Sequence, residues 1–436
     1  MDHQTTKYVP KNPVVRWVED RLPIINFIKP SFVDYPTPKN LNYWWTFGAI
    51  LTFMLVSQIV TGIILAMHYA PNAGLAFDSV ELIKRDVIGG RTIQAIHSTG
   101  ASMFFVALYI HMFRGLYYGS YKAPREILWI LGVIIYILTV GTAFFGYVLP
   151  WGQMSFWAAV VITNIFGAVP IVGDSILQLL RGGFGVDNPT LNRFFALHYL
   201  LPFIIAAVVG LHIWALHVPG NGNPIGVDVK DKSRDTVPFH PFYTMKDLYG
   251  VILFLIPFAW FAFFAPDIFG HPDNYIQADA LKTPADIVPE WYLRPFYAIL
   301  RAIDFNFIID SKLLGVIMFA GSLLVLFFVP WLDTSKVRSG RYRPWFRWAY
   351  WLFVINFVML TWYGSVKPDV TLFEMFGSPT PGGPPVSAIS KLSVVYYFAY
   401  FLVLLPLLGR FEKPKPLPNS ISESVLKKSP AMQAAE

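Results

Sequence analysis

Apolar stretches, each nearly free of Asp, Glu, Lys and Arg, recur along the chain at lengths that suit a bilayer crossing. A hydrocarbon core ~30 Å thick needs about 20 such residues in a helix. The pattern predicts spans at about 42–68, 92–116, 126–149, 194–217, 247–265, 313–332, 346–363 and 392–408, the fifth, seventh and eighth being the shortest. Trp44, Trp45, Trp151, Trp331, Trp345 and Trp362 stand near the predicted ends, as an interfacial aromatic belt requires. The run 153–172 is apolar too, but it follows Leu149-Pro150-Trp151-Gly152 directly and reads as a short surface helix. The chain is therefore expected to be an all-α membrane protein with eight transmembrane helices and short surface helices on the outer loops.

The polar stretches divide the chain. They set off an N-terminal segment 1–41, a four-helix region 42–218, a linker 219–246, a second four-helix region 247–410 with a long loop at 266–312, and a tail 411–436. With eight spans both termini share a side, and 23 of the 34 Lys and Arg residues fall there against 11 opposite. That bias makes the terminus side cytoplasmic. The net charge of +7 is thus a topology signal, and nucleic-acid binding is not expected. The N-terminal forty residues have no apolar core of a signal peptide, and no GxGxxG or P-loop motif occurs.

Histidine placement carries the chemistry. His97 and His111 lie fourteen residues apart in the second stretch, and His198 and His212 repeat that interval in the fourth. Fourteen helical residues turn about 1400°, ~40° short of four turns, and rise ~21 Å. Each pair therefore shares a helix face, one member near each side of the bilayer. A single buried histidine is ordinarily a hydrogen-bonded structural residue, but two pairs at one interval need a common purpose. With no cysteine in the chain, pairs made only of histidine point to axial haem ligation, two imidazoles per iron. Gly48 and Gly62 in the first stretch, and Gly132 and Gly146 in the third, repeat the spacing. Glycine inside a helix costs about 1 kcal/mol against alanine, which is tolerable where a porphyrin edge must approach the backbone. The expected core is a four-helix bundle around two stacked haems.

Local strings then resemble the cytochrome b family of quinol:cytochrome c oxidoreductases. They are Gly100-Ala101-Ser102-Met103 after His97, Arg114-Gly115-Leu116-Tyr117 after His111, and Gly146-Tyr147-Val148-Leu149-Pro150-Trp151-Gly152-Gln153 at the end of the third stretch. Asn192-Arg193-Phe194-Phe195-Ala196-Leu197-His198 and Pro289-Glu290-Trp291-Tyr292 complete the series, and the resemblance spans roughly 30–410. It implies a Q-cycle enzyme of the complex III type with a Rieske iron–sulfur protein, a membrane-anchored c-type cytochrome and a homodimeric assembly. It implies two b-type haems, the low-potential outer one on His97 and His198 and the high-potential inner one on His111 and His212. Arg114 would pair with an inner-haem propionate. Glu290, Tyr147 and Tyr292 would carry outer-site ubiquinol oxidation, with Pro289 and Ala158 shaping that pocket. His217, Asn221, Lys246, Asp247 and Trp45 would form the inner quinone site. The chain's length and charge bias suggest a bacterial cytoplasmic membrane with both termini cytoplasmic.

Two positions depart from the family pattern. Gln94 stands where an arginine usually precedes the first ligand, and an amide cannot make the charge-assisted pair with a propionate. Arg91, one turn further out, is a candidate substitute. Ala158 stands where glycine is common. The chloroplast-type relative is normally split after the fourth helix and carries one extra residue between the second pair of histidines, unlike this chain. A haem-free proton-coupled transporter using buried histidines is the competing reading, and it predicts no visible absorption.

Overall fold

In a computed structural model, which describes residues 8–306 and 308–426, all eight predicted stretches are helical. The first residues of the N-terminal segment (1–7), position 307 of the long loop and the end of the tail (427–436) lie outside the described residues. The long helices are α1 (Tyr43–Ala66), α2 (Gly90–Tyr118), α3 (Glu126–Val148), α4 (Asn188–His217), α5 (Phe242–Phe264), α6 (Ser311–Leu332), α7 (Pro344–Tyr363) and α8 (Val386–Phe411). Seven of them are long and apolar enough to cross a membrane. The exception, α7, has twenty residues but is rich in Trp and Tyr and carries Arg347, which lowers its apolarity.

Boundaries moved where capping overrides hydropathy. The fourth helix starts at Asn188 rather than near 194, because Asp187 and Thr190 form a reciprocal capping box with Pro189 in the first turn. Arg193 lies inside that helix, although its charge ends the apolar run. The second helix ends at Gly119, whose φ of 63° gives the left-handed cap that glycine adopts without penalty. The fifth and eighth helices, expected to be among the shortest, run to 23 and 26 residues. The eighth contains a π-helical segment, Tyr400–Leu404, and the fifth begins before Lys246 and Asp247.

Helix α1 packs along α2, and α3 along α4, while α5 lies against α1 and α2. A continuous core through Met54, Phe105, Tyr136, Phe296, Phe353 and Tyr400 joins the first four helices to α6, α7, α8 and the short helix Arg294–Arg301. The outward face of α5 is apolar and exposed at Ile252, Ile256, Trp260 and Phe263, a helical stripe suited to lipid. The run after Trp151-Gly152 forms the helix Gln153–Gly167, as expected of a short element on the third-to-fourth connection.

At the terminus-side ends, polar groups replace the apolar core. Strand β1 (Pro36–Pro38) pairs antiparallel with β2 (Thr236–Pro238), tying the N-terminal segment to the linker. Beyond α6, Asp333 accepts from Tyr121 (2.6 Å), Lys122 (2.9 Å) and Arg343 (2.8 Å), all within the protein. Arg343 also reaches Glu412 (3.1 Å), whose other oxygen accepts from the Trp345 and Phe346 amides at the start of α7. Burial alone would push the Asp333 carboxyl up, but Lys122 and Arg343 together hold it below the ordinary carboxylate value.

Candidate functional site

The four histidines meet in two facing pairs. His97 and His198 have ring centroids 6.1 Å apart at an interplanar angle of 84°. His111 and His212 stand 6.5 Å apart at 56°. Two imidazoles bonding one metal from opposite faces put their centroids roughly 6.3 Å apart, from metal–nitrogen bonds of ~2 Å and ~1.1 Å from each nitrogen to its centroid. Both separations match.

Hydrogen bonds orient the outer pair. The Thr61 hydroxyl donates to the Ser57 carbonyl at 2.6 Å and lies 2.9 Å from Nδ1 of His97. With its proton so committed, the threonine oxygen accepts from Nδ1–H. Nδ1 of His198 lies 2.8 Å from the Thr142 carbonyl, which can only accept. Both rings thus carry the proton on Nδ1 and leave the Nε2 lone pair for a metal, the usual division of labour in metal-bound histidine. Spacing alone did not reveal Thr61; its only sequence signal is its place beside Gly62.

The glycines serve the rings more directly than expected. A Cβ added at Gly62 would stand 3.1 Å from Cε1 of His97, and one at Gly146 only 2.3 Å from Cε1 of His198. Gly132 faces His212 at 3.3 Å and Gly48 faces His111 at 3.7 Å. Each of the four glycines therefore makes room for one histidine ring from the neighbouring helix, where the sequence suggested a porphyrin edge.

Arg114 enters the inner pair. Its Nη2 lies 3.2 Å from Nδ1 of His111, and its guanidinium sits 5.1 Å from the Trp45 ring centroid. Its Nε is buried without a partner, and Arg114 forms no ion pair among the described residues. A buried guanidinium calls for an anion. A carboxylate-bearing macrocycle between His111 and His212 fits that need, so the residues present suit a haem.

A cavity of about 350 Å³ runs from His97 and His198 to the loop that follows α5. Gly62, Gly146, Tyr147, Glu290 and Tyr292 line it, whereas Pro289 and Ala158 do not. Ala158 is buried in the helix Gln153–Gly167, at 8% exposure, off the cavity wall. The motif 289–292 is held by its own turn, Leu293 N–H donating to the Glu290 carbonyl and Arg294 Nε donating to that of Pro289. Tyr292 stacks flat on Phe105, 4.0 Å between centroids, and its carbonyl accepts from the Tyr109 hydroxyl. Burial pushes the Glu290 carboxyl up to about 7, against smaller downward effects of Arg294 and the nearby Tyr147 hydroxyl. That hydroxyl is buried beside the Glu290 carboxyl and falls short of full hydrogen-bond geometry with it or any other described residue, so it can turn to a ligand. The amide nitrogen of Gln58, another wall residue, is orphaned in the same way. A half-buried carboxyl that changes charge near neutrality, beside unspent hydroxyl and amide groups, suits proton removal from a small phenolic or quinol-like molecule.

The expected inner-site residues gather at one end without contacting one another. His217 lies near two carbonyls, Ile213 (2.7 Å from Nδ1) and Ser31 (2.9 Å from Nε2), against the Tyr35 ring at 4.4 Å. A neutral ring donates to one of them at a time. Lys246 donates to the Leu41 carbonyl and lies over the Tyr43 ring at 4.8 Å, and Trp45 packs on Tyr118 at 4.9 Å. The side-chain oxygen of Asn221 is buried without a partner. No hydrogen bond or ion pair joins His217, Asn221 and Asp247 among the described residues. His217 and Lys246 bond to the segment 31–45, and Trp45 ends it.

The fold is thus a bundle of membrane-type helices in which two facing histidine pairs lie fourteen residues apart along α2 and α4. Known proteins agree. The cytochrome b/b6/petB family model matches residues 32–220, and the C-terminal cytochrome b/b6/petD model matches 277–379. Cytochrome b of Rhodobacter capsulatus is 54% identical over 433 residues, covering 95% of this chain and 96% of that one. Cytochrome b of Rickettsia typhi is 55% identical over 410 residues, 94% and 98% of the two chains. The cytochrome b/c1 of Bradyrhizobium diazoefficiens is 56% identical over 421 residues, and this chain spans only 58% of its length. A chain of a hyperthermophilic respiratory complex III has the same fold, with a TM-score of 0.81, 35% identity, and coverage of 91% of this chain and 99% of that one. The chain belongs to the cytochrome b/b6 family.

Proposed function

We propose that this protein is the cytochrome b subunit of a bacterial quinol:cytochrome c oxidoreductase. It would bind one b haem between His97 and His198 and a second between His111 and His212. The observation that carries the reading is the pair of ring separations, 6.1 and 6.5 Å, each fitting two imidazoles on one iron. When bound, the haems would supply one-electron carriers at two depths, joining an outer quinol site to an inner quinone site.

The chain's own residues would manage protons and position. Glu290, with its carboxyl near neutrality, would take a proton from ubiquinol in the outer cavity, and the Tyr147 hydroxyl would hold the quinol oxygen. Tyr292, locked flat on Phe105, would keep that loop in register. Arg114 would pair with an inner propionate. His217, Asn221, Lys246, Asp247 and Trp45 would surround the inner quinone and supply protons to it on reduction. A Rieske protein would accept the first electron of each quinol and pass it to a c-type cytochrome, in a homodimeric complex.

Eight spans, counting α7 with its exposed apolar face at Leu352, Ile355 and Val358, would return both termini to the Lys- and Arg-rich side, the cytoplasmic face of a bacterial inner membrane. Reduced-minus-oxidised spectra with a redox titration of the purified protein test the reading. Two b-type absorbances titrating at separate potentials are expected. A protein without visible absorption would overturn it in favour of a haem-free transporter.

A further inference from the structure

Gln94 leaves a question of charge. A haem carries two propionates, and the inner pair has Arg114 beside it. The outer cavity needs a cation of its own, and neither sequence candidate supplies one. Gln94 lines the cavity but is neutral, and Arg91 is exposed on the first turn of α2, off the wall.

One lysine or arginine does line that cavity among the described residues: Lys84, on the short helix Ala76–Arg85. It is 20% exposed, with Nζ 3.2 Å from Oε1 of Glu81 and 4.6 Å from the Tyr275 ring centroid. Glu81 does not depend on it, because Arg85 holds the other carboxylate oxygen at 2.9 Å. The ammonium can therefore serve a second anion without stranding the first. Arg91 lies close enough to Tyr275 to act on its hydroxyl, but does not line the cavity. Tyr275 donates to Asp267, and Asp267 and His271 line the same wall.

We infer that Lys84 is the cationic partner of an outer-haem propionate in this chain, taking the place that Gln94 cannot fill. The inference rests on the proposed haem between His97 and His198. Its energetic consequence comes from charge alone. A cation beside the haem favours the reduced form, which carries one positive charge fewer. Glu81, three residues away on the same helix face, offsets part of that effect. The outer site thus has a shared ammonium where the inner site has an unshared guanidinium, an asymmetry that lowers the outer potential relative to the inner.

The test is a redox titration of the purified complex, followed at the two b-haem absorbances. Lys84→Met is expected to shift the outer haem's reduction equilibrium three- to tenfold toward the oxidised form, about 30–60 mV at 59 mV per decade. Lys84→Arg should hold the parent value, and adding Gln94→Arg to Lys84→Met should restore it. Glu81→Gln should move the outer haem the opposite way, and this arm stands if Lys84→Met fails to assemble. The inner haem should stay fixed throughout. An unmoved outer midpoint in Lys84→Met, or in Glu81→Gln should that variant alone assemble, overturns the assignment. A parent protein lacking the outer haem overturns the proposed function instead.

Discussion

Thr61 accepts a hydrogen bond from Nδ1 of His97 at 2.9 Å while spending its own proton on the Ser57 carbonyl at 2.6 Å. The threonine thereby decides which nitrogen of the histidine faces the cavity. Partners of this kind are worth 10–100-fold in metal affinity. Thr61→Val, which keeps shape and loses the acceptor, should weaken outer-haem retention by about that factor. Haem content after detergent washing, read at the two b absorbances, checks it; equal loss of both haems would count against the assignment.

The glycine contacts differ enough to be told apart. An alanine at Gly146 would push a methyl to 2.3 Å from His198, so the ring must rotate out of its position. At Gly48 the same methyl would sit 3.7 Å from His111, an ordinary contact. Gly146→Ala should therefore lose the outer haem, and Gly48→Ala should keep the inner one. Difference spectra of the two variants decide it.

Glu290 gives a pH dependence with a definite sign. A proton acceptor works as the carboxylate, and burial lifts this group to about 7. Quinol oxidation should rise as pH increases through 7 and level off above it. Glu290→Gln should flatten that limb and slow the step by up to ~10²–10⁴-fold, with both haem spectra intact. Pre-steady-state haem reduction by quinol across pH 5–9 measures both effects, and an unchanged profile would pass the role to Tyr147 or to water.

Asp333 is the anion between two buried cations, Lys122 and Arg343. Removing one partner of such a cluster leaves uncompensated charge and costs about 3–5 kcal/mol. Asp333→Asn should lower the thermal stability of the solubilised protein accordingly, without moving either haem potential. Because its folded value is depressed, the wild-type contribution is complete above the ordinary carboxylate range. It is lost as pH falls through the group's own lower value. Thermal melts from pH 7 down to pH 3 track that loss.

The helices were legible in the sequence because uninterrupted apolar length marks a span, and the histidine pairs because helical periodicity puts residues fourteen apart on one face. The start of α4 was not, since Arg193 ends the apolar run while the cap at Asp187 continues the helix. Glu290, Tyr147 and Tyr292 were reachable only through motif resemblance. Their convergence on one cavity depends on the fold bringing the loop after α5 back to the end of α3. The resemblance also assigns Ala158 and Pro289 to that pocket; neither lines this cavity, and Ala158 is buried within the helix Gln153–Gly167. Lys84 left no trace at all: on an amphipathic ten-residue helix it reads as one more solvated charge.

The four glycine–histidine contacts amount to a ruler cut into the backbone. Each antiparallel helix pair carries two notches, one interval apart, and the interval is the same on both. Side-chain substitutions elsewhere cannot stretch it. A one-residue insertion between the notches of any helix, though, turns the remainder of that helix by about 100° and shifts it ~1.5 Å along the axis. Such a lesion would misplace a site while leaving hydropathy, topology and length almost untouched. Natural variation between the notches of α1 and of α3 should therefore run to substitution and spare the count.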